Sequence, residues 1–530
     1  MPEQFTIGGC FLIYSSHRLK IARKQREKIK RKAGGYKHQH SVAIVRYLTK
    51  NFWILLIPAL RALIAYSFNL VRWMKVVSGD IVIIAFFFLF AWARWFRTRY
   101  KLGDKSIFFM NGIFSKRISV IPYTKISAVT VEKKWWQYPL KCSYISIDTD
   151  AKSIGSKKTE PDAKLIISDD DVDRIFDIVQ KNDKNQNSFK SRISKSSLVA
   201  FSLLFSSALS GVTLLAALLI NAGDIIGNKI EESFFDAVNS AAKTVNSNTL
   251  FILSKIPTAA ITLAIIIFIG WLISFIGNLM RHMHFTLEKK GGSVTITDGF
   301  LTIRKYHINR AHINYADLQQ NLTMKLFGVM SVNVSCSGYG KSKNEIPVFI
   351  PISKSRQVRT ILKRILPDME WNADTMPLKL RYIFIYIGPP IIILNLVTAA
   401  AGILIFFFRE WFNMIFSTML IIDIPIIWMT VVKTAAFYTS GISYAGRVIC
   451  IKYSRWFEFH TILVPEERIA KIAISRTIFQ RLNGSCNITV YTNSEYTRSH
   501  TVRGVSYTDA MLIFNRYFNT STSSDSHNEK

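Results

Sequence analysis

Between Lys116 and Lys141 the chain gathers cationic and aromatic side chains in a pattern suited to one kind of chemistry. Lys116, Arg117, Lys125, Lys133, Lys134 and Lys141 surround Trp135 and Trp136, with Tyr138 beside them. Ammonium groups contact phosphate oxygens while indole rings rest at headgroup level, so this stripe is expected to meet anionic lipid or a phosphorylated headgroup. The competing explanation is a solvated basic face of the kind that membrane topology itself demands.

A second candidate lies within apolar stretches. Arg61, close to Pro58, and Asp423, close to Pro425, are ionisable residues where the surrounding sequence reads as membrane span. Charges at that depth are costly unless paired or wetted, which makes an intramembrane pair between Arg61 and Asp423 an expectation to test. His38-Gln39-His40 and His282-Met283-His284 bring imidazoles together, but no cysteine or carboxylate constellation completes a ligand set, so neither a metal nor another cofactor is expected. Five cysteines without CxxC spacing suggest neither a zinc site nor a disulfide framework. Asp169, Asp170 and Asp171 stand at a helix start, where carboxylates answer the helix dipole. Walker, HExxH, GxSxG and kinase signatures are absent, and the chain reads as non-catalytic.

These residues need elements to hold them, and composition says which. A net charge of +33 with a pI near 9.9 and a mean hydropathy of +0.20 implies alternating membrane and basic aqueous segments. The charge is spread over every expected cytoplasmic segment instead of being gathered on one domain, which argues against a nucleic-acid partner. Apolar runs approaching the ~20 residues needed to span a bilayer occur in pairs. The expected organisation is a basic cytoplasmic N-terminus at 1–50; a membrane hairpin at 51–97, its spans ending near Val71 and resuming at Ile81; and a module at 98–183. A second hairpin follows at 197–280 with an extracytoplasmic loop at about 222–249, then a module at 283–367, a third hairpin at 379–433, a module at 436–518 and a polar tail at 519–530. Dense Lys and Arg beside the modules and sparse Lys and Arg in the 222–249 loop put both termini and all modules on the cytoplasmic side.

The modules repeat. IPYTKISAV, INRAHINYA and VPEERIAKI align so that Lys125, His312 and Arg468 each precede an isoleucine, Ile126, Ile313 or Ile469. Fifteen residues beyond that isoleucine stand Lys141, Gly328 and Gly484. Alternation such as Val332, Val334 and Ile488, Val490 reads as half-buried strand. Each module closes with a helical pattern, for example Val358, Ile361, Leu362 and Ile365 on one face.

The succession of hairpin and β-module, the IPxxKIxxV core at Ile121 to Val129, the Leu482-Asn483-Gly484 step and the closing helices resemble the YdbT-like bacterial membrane proteins that carry bacterial PH domains. The resemblance implies an α+β membrane protein: six transmembrane helices in three hairpins, each hairpin followed by a PH-like antiparallel β-sandwich or barrel capped by a C-terminal helix. The second copy departs from the pattern with Asn309 and His312, and the first with Lys141. The function expected is a binding scaffold in the bacterial cytoplasmic membrane that presents three modules to anionic headgroups or to a membrane or cytoplasmic protein. The alternative is a transporter or lipid-handling channel gated by those modules.

Overall fold

The computed structural model describes residues 35–48, 70–113, 115–149, 162–181, 188–206, 212, 215, 229–248, 258–336, 348–369, 375–445, 447–494 and 499–528. The chain is α+β, its sheets antiparallel, and it divides into two units, Met1–Tyr123 and Thr124–Lys530.

In the first unit, β1 (Lys37–His38), α1 (Ala43–Tyr47), α2 (Leu70–Arg97), β2 (Arg99–Leu102), β3 (Ser106–Asn111) and β4 (Arg117–Pro122) follow one another. The strands form one sheet in the order β1-β2-β3-β4. Helix α2 runs unbroken through Ser78, Gly79 and Asp80, where the sequence suggested a polar turn between two spans. No proline interrupts it, and one glycine costs a helix only about 1 kcal/mol. Most of the expected first span, residues 51–69, lies outside the described residues.

The second unit begins its sheets with β5 (Ile126–Lys134), β6 (Cys142–Thr149) and β7 (Ala163–Ser168), capped by α3 (Asp169–Lys181). Then come β8 (Ser188–Arg192), α4 (Lys195–Phe205), α5 (Lys229–Asn248) and α6 (Thr258–His282). The segment expected as an extracytoplasmic loop thus carries the helix α5, whose Ile230, Phe234 and Val238 recur at four-residue spacing. A Cβ at Gly270 would stand 2.6 Å from Val212 Cγ2, so glycine there permits a close backbone approach to α6.

Next are β9 (Thr286–Lys290), β10 (Ser293–Asp298), β11 (Thr302–Asn309), β12 (Ile313–Asn321), α7 (Leu322–Leu326), β13 (Val329–Cys336), β14 (Val348–Lys354) and α8 (Ser355–Ile365). After β15 (Met376–Pro377) two long helices, α9 (Phe384–Phe407) and α10 (Phe412–Thr439), are joined by a short 3₁₀ turn. The last repeat holds β16 (Gly441–Ala445), β17 (Val448–Arg455), β18 (Glu458–Pro465), β19 (Ile469–Ser475), α11 (Ile478–Leu482), β20 (Ser485–Thr492), β21 (Ser499–Ser506) and α12 (Tyr507–Asn528).

Three segments among the described residues are helical, long and apolar enough to cross a membrane: Ala264–His282, Leu380–Phe407 and Met414–Thr439. Threonine hydroxyls in the last two bond back to their own helix, as Thr398 does at Leu394 O (2.9 Å) and Thr430 at Ile426 O (3.0 Å).

The repeats interlock instead of standing as separate modules. One seven-stranded sheet has the order β7-β6-β5-β11-β10-β9-β8, and the next β14-β13-β12-β18-β17-β16-β15, while β19-β20-β21 form the last. Each seven-stranded sheet therefore joins the second half of one repeat to the first half of the following one, through Ile308 opposite Ala128 and Leu463 opposite Ala316. Pairing of this kind covers strands that would otherwise be open edges.

The repeated motif is the corner that makes this possible. A 3₁₀ turn ends at Lys125, at His312 or at Arg468. A buried isoleucine follows, and directly after it the strand register slips by a bulge in all three copies: Ile126/Ala128, Ile313/Tyr315 and Ile469/Lys471. A bulge bends its strand, and here the bend steers the chain out of one sheet into the next. The residue fifteen places on is left-handed each time, with φ of 47° at Lys141, 63° at Gly328 and 65° at Gly484. Its carbonyl accepts from the first residue of the closing helix at 3.1 Å, from Asp169, Ser355 or Tyr507 N. The core of the middle repeat joins Leu287, Val294 and Ile308 to Val332, Phe349 and the Val358–Leu362–Ile365 face of α8.

Candidate functional site

Strand β8 and helix α4 meet at a serine cluster. Ser194 caps α4, accepting from Ser197 N at 3.1 Å, and its hydroxyl lies 3.0 Å from that of Ser196. The first turn of a helix also presents unsatisfied N–H groups and the positive end of its dipole. Facing it, β14 delivers Lys354, and the first turns of α8 carry Arg356, Gln357 and Thr360. With Arg192 they border a cleft of about 590 Å³ whose floor is Phe285, Leu287 and Ile350. Among the described residues no carboxylate lines it. Three cations, several hydroxyls and an apolar floor suit an anion attached to an apolar group, and the arginine forks match phosphate geometry.

The cleft is tied to a membrane-type helix. Phe201 of α4 meets the His282 ring edge-on at 5.0 Å at the end of α6, and His282 Nδ1 lies 3.5 Å from Asp298 Oδ2. A second cleft, also about 590 Å³, lies among the corner turns, bordered by Arg310, Asp368, Glu466, Glu467 and Arg468. Two of its cations have partners within it. Arg310 lies 3.4 Å from Asp368, and the Arg468 guanidinium donates to Ala311 O.

The residues of the lysine and tryptophan stripe expected from the sequence fall in both units and differ in exposure and partners. Lys116 and Arg117 belong to the first unit, and Lys125 stands exposed at a corner turn of the second. Lys133 is committed to an ion pair with Asp169 Oδ2 at 2.5 Å, and Ser143 donates to the other carboxylate oxygen at 2.6 Å. Burial alone would raise the Asp169 carboxyl, but the bonds from Lys133 and Ser143 hold it below its ordinary value. Asp169 thus does more than answer a helix dipole. Lys134, Trp135 and Lys141 remain exposed, and Trp136 is half-buried. Arg61 lies outside the described residues, whereas Asp423 is buried in α10 with Oδ1 lacking a hydrogen-bond partner among the described residues.

Sequence reasoning passed over Arg192, Lys354 and Arg356. Two signals pointed to them: Ser194-Lys195-Ser196-Ser197 before an apolar run and Ser355-Arg356-Gln357 before the α8 face are both helix starts, and helix starts attract anions.

A half-buried polar network marks the seam between the second and third repeats. Asp317 on β12 contacts His460 on β18, Gln319 donates to Glu458 at 2.5 Å, and Asn333 donates to Gln319 at 3.0 Å. Beside them Tyr453 Oη lies 3.1 Å from His500 Nδ1, and the Tyr315 ring meets His500 edge-on at 4.7 Å. Its role is to hold two repeats together.

Comparison with known proteins adds three findings. A bacterial PH domain family model matches residues 44–183, 248–365 and 389–519. The chain is 24% identical over 273 residues to the UPF0699 transmembrane protein YdbT of Bacillus subtilis (strain 168), which is 50% of this chain and 52% of that protein. It thus spans about half the length of the curated relative it matches. No solved structure matches it.

Proposed function

This chain belongs to the bacterial PH domain family, and we propose that it is a non-catalytic, membrane-anchored protein that holds repeated PH-like units at the cytoplasmic surface to bind the phosphate of an anionic lipid headgroup. The carrying observation is the cleft of about 590 Å³ bordered by Arg192, Lys354 and Arg356, with serine hydroxyls opposite and no carboxylate among the described residues that line it. Six spans in three hairpins, with both termini cytoplasmic, complete this reading. Arg94 and Arg97 in the last turn of α2 and Arg281 in that of α6 fit the cytoplasmic excess of basic residues. A protein partner would take the exposed strand edges instead.

The test uses the full chain in phosphatidylcholine nanodiscs titrated with short-chain phosphatidylglycerol, with glycerol phosphate as a parallel arm. Replacing Arg192 and Arg356 together by Gln weakens lipid binding at least several-fold if the cleft is the site, and both side chains are exposed, so the fold survives. Unchanged affinity would sink the proposal. Equal binding of glycerol phosphate would make the ligand a free phosphate compound.

Asp423 favours a second reading, in which the spans line a transport path. A buried carboxylate oxygen without a partner among the described residues is costly in a membrane helix unless it serves a polar route or pairs with a cation such as Arg61. Loss of solute or lipid movement across proteoliposomes in Asp423→Asn, with folding retained, would support it; an unaffected flux or no flux in the parent protein would dismiss it.

A further inference from the structure

Several highly exposed apolar side chains outside the long helices sit on tips formed by short turns and short helices, and those tips are fastened to the ends of α6, α9 and α10. At α6, Gly299 N donates to Met283 O at 2.8 Å, one residue past the helix, which holds the β10–β11 turn with Phe300 and Leu301 beside it. Trp135, 65% exposed, donates its backbone N–H to Leu301 O at 2.8 Å and so joins the same place. Just before α9, Tyr382 Oη donates toward Asn483 O and Gly484 O at 3.1 and 3.2 Å, at the end of the short helix α11. On α11, Phe479 is 80% and Leu482 81% exposed. Lys433 of α10 reaches Ser454 Oγ at 3.0 Å beside the β17–β18 turn of Trp456 and Phe457. Leu322 of α7 packs against Phe437 and Phe459, leaving Leu326, 83% exposed, and Phe327 beyond it.

We propose that these tips are interfacial anchors: Trp135 with Phe300, Phe327 with Trp456, and Phe479 with Leu482 dip into the headgroup and acyl boundary of the bilayer that α6, α9 and α10 cross. The occupant is the lipid itself, for two reasons. Hydrogen bonds of 2.8–3.2 Å hold the tips within a few residues of the membrane-type segments, so they share the level at which those segments leave the hydrocarbon. Exposed cations, Lys134, Arg281 and Arg481, flank them and match anionic headgroups, while tryptophans take the interfacial position they favour. The consequence is mechanical: the sheets lie against the membrane at several points instead of swinging on the hairpins, and the basic cleft is kept at lipid level.

This rests on the membrane placement of the long helices, and the test separates the two. In a Cys10→Ser background, whose remaining cysteines are buried, Phe479→Cys and Ile392→Cys are each labelled with a polarity-sensitive thiol dye in full-length protein in nanodiscs. The expected result at Phe479→Cys is blue-shifted emission, lost with spin-labelled lipid and indifferent to aqueous iodide. Quenching by iodide overturns the inference, and so does protection from both quenchers, which would mean that protein covers the tip. Ile392, in the middle of α9, must be quenched by lipid in every case; if it is not, the membrane placement has failed instead.

Discussion

His460 Nδ1 stands 2.9 Å from Asp317 Oδ2 across the pairing of β12 with β18, so a largely buried imidazole and carboxylate join two successive repeats. Glu458 Oε2 lies 3.7 Å from the other ring nitrogen. Burial alone would lower the His460 pKa, but the Asp317 hydrogen bond and the charges of Asp317 and Glu458 outweigh it, and the pKa is raised. A group whose pKa is higher folded than unfolded stabilises fully below its unfolded value, near ~6.5 for histidine, and loses that contribution as pH rises through the folded value. The apparent melting temperature should therefore fall from about pH 6 to about pH 9 in the parent protein and much less in His460→Gln. Equal slopes would count against the pair.

His500 has the opposite sign. Burial is the main cause and outweighs the opposing Asp317 charge, the His460 charge adds to it, and its pKa is pushed down to about 4. Its neutral form contributes stability above the unfolded value of ~6.5 that is lost as pH falls toward 4, by up to roughly 3 kcal/mol. His500→Phe should lose less melting temperature than the parent protein between about pH 7 and about pH 4.5. Greater acid sensitivity in the variant would contradict the assignment.

The left-handed residue shared by the repeats gives a matched set of variants. An L-residue there costs about 1–2 kcal/mol, partly offset because alanine narrows the unfolded ensemble. Gly328→Ala and Gly484→Ala should each destabilise by about 1 kcal/mol, and Lys141→Gly should be neutral or stabilising by up to about 1 kcal/mol, read from denaturant midpoints. Destabilisation by Lys141→Gly would show that its side chain holds the turn.

Lys133 and Lys134 are neighbours with different duties. Lys133→Met removes the ion pair to Asp169 and should cost stability, on the order of 1 kcal/mol for a partly exposed pair, while leaving lipid affinity unchanged. Lys134→Met, at an exposed position beside Trp135, should weaken association with anionic lipid without moving the melting temperature. Co-sedimentation and thermal unfolding of the two variants measure this, and reversed outcomes would restore Lys133 to the lipid-facing stripe.

Much of the architecture was legible in the chain. Apolar length marked α6, α9 and α10 because bilayer thickness sets span length, and strand alternation with closing helices marked the β-rich repeats because burial on one face imposes a period. The constant fifteen-residue spacing was also visible, since the same local geometry needs the same residue count.

What the sequence by itself determined was therefore local: which segments are apolar enough to leave water, and where each strand and corner falls. Tertiary structure alone decided that Ile308 pairs with Ala128 and Leu463 with Ala316, because strand pairing is made through backbone groups that every residue carries. It likewise gathered Arg192 and Arg356, 164 positions apart in the chain, at one cleft, and turned Lys133 inward to Asp169. Charge can be counted along a chain, but its partner is chosen by distances that exist only after the sheets have closed.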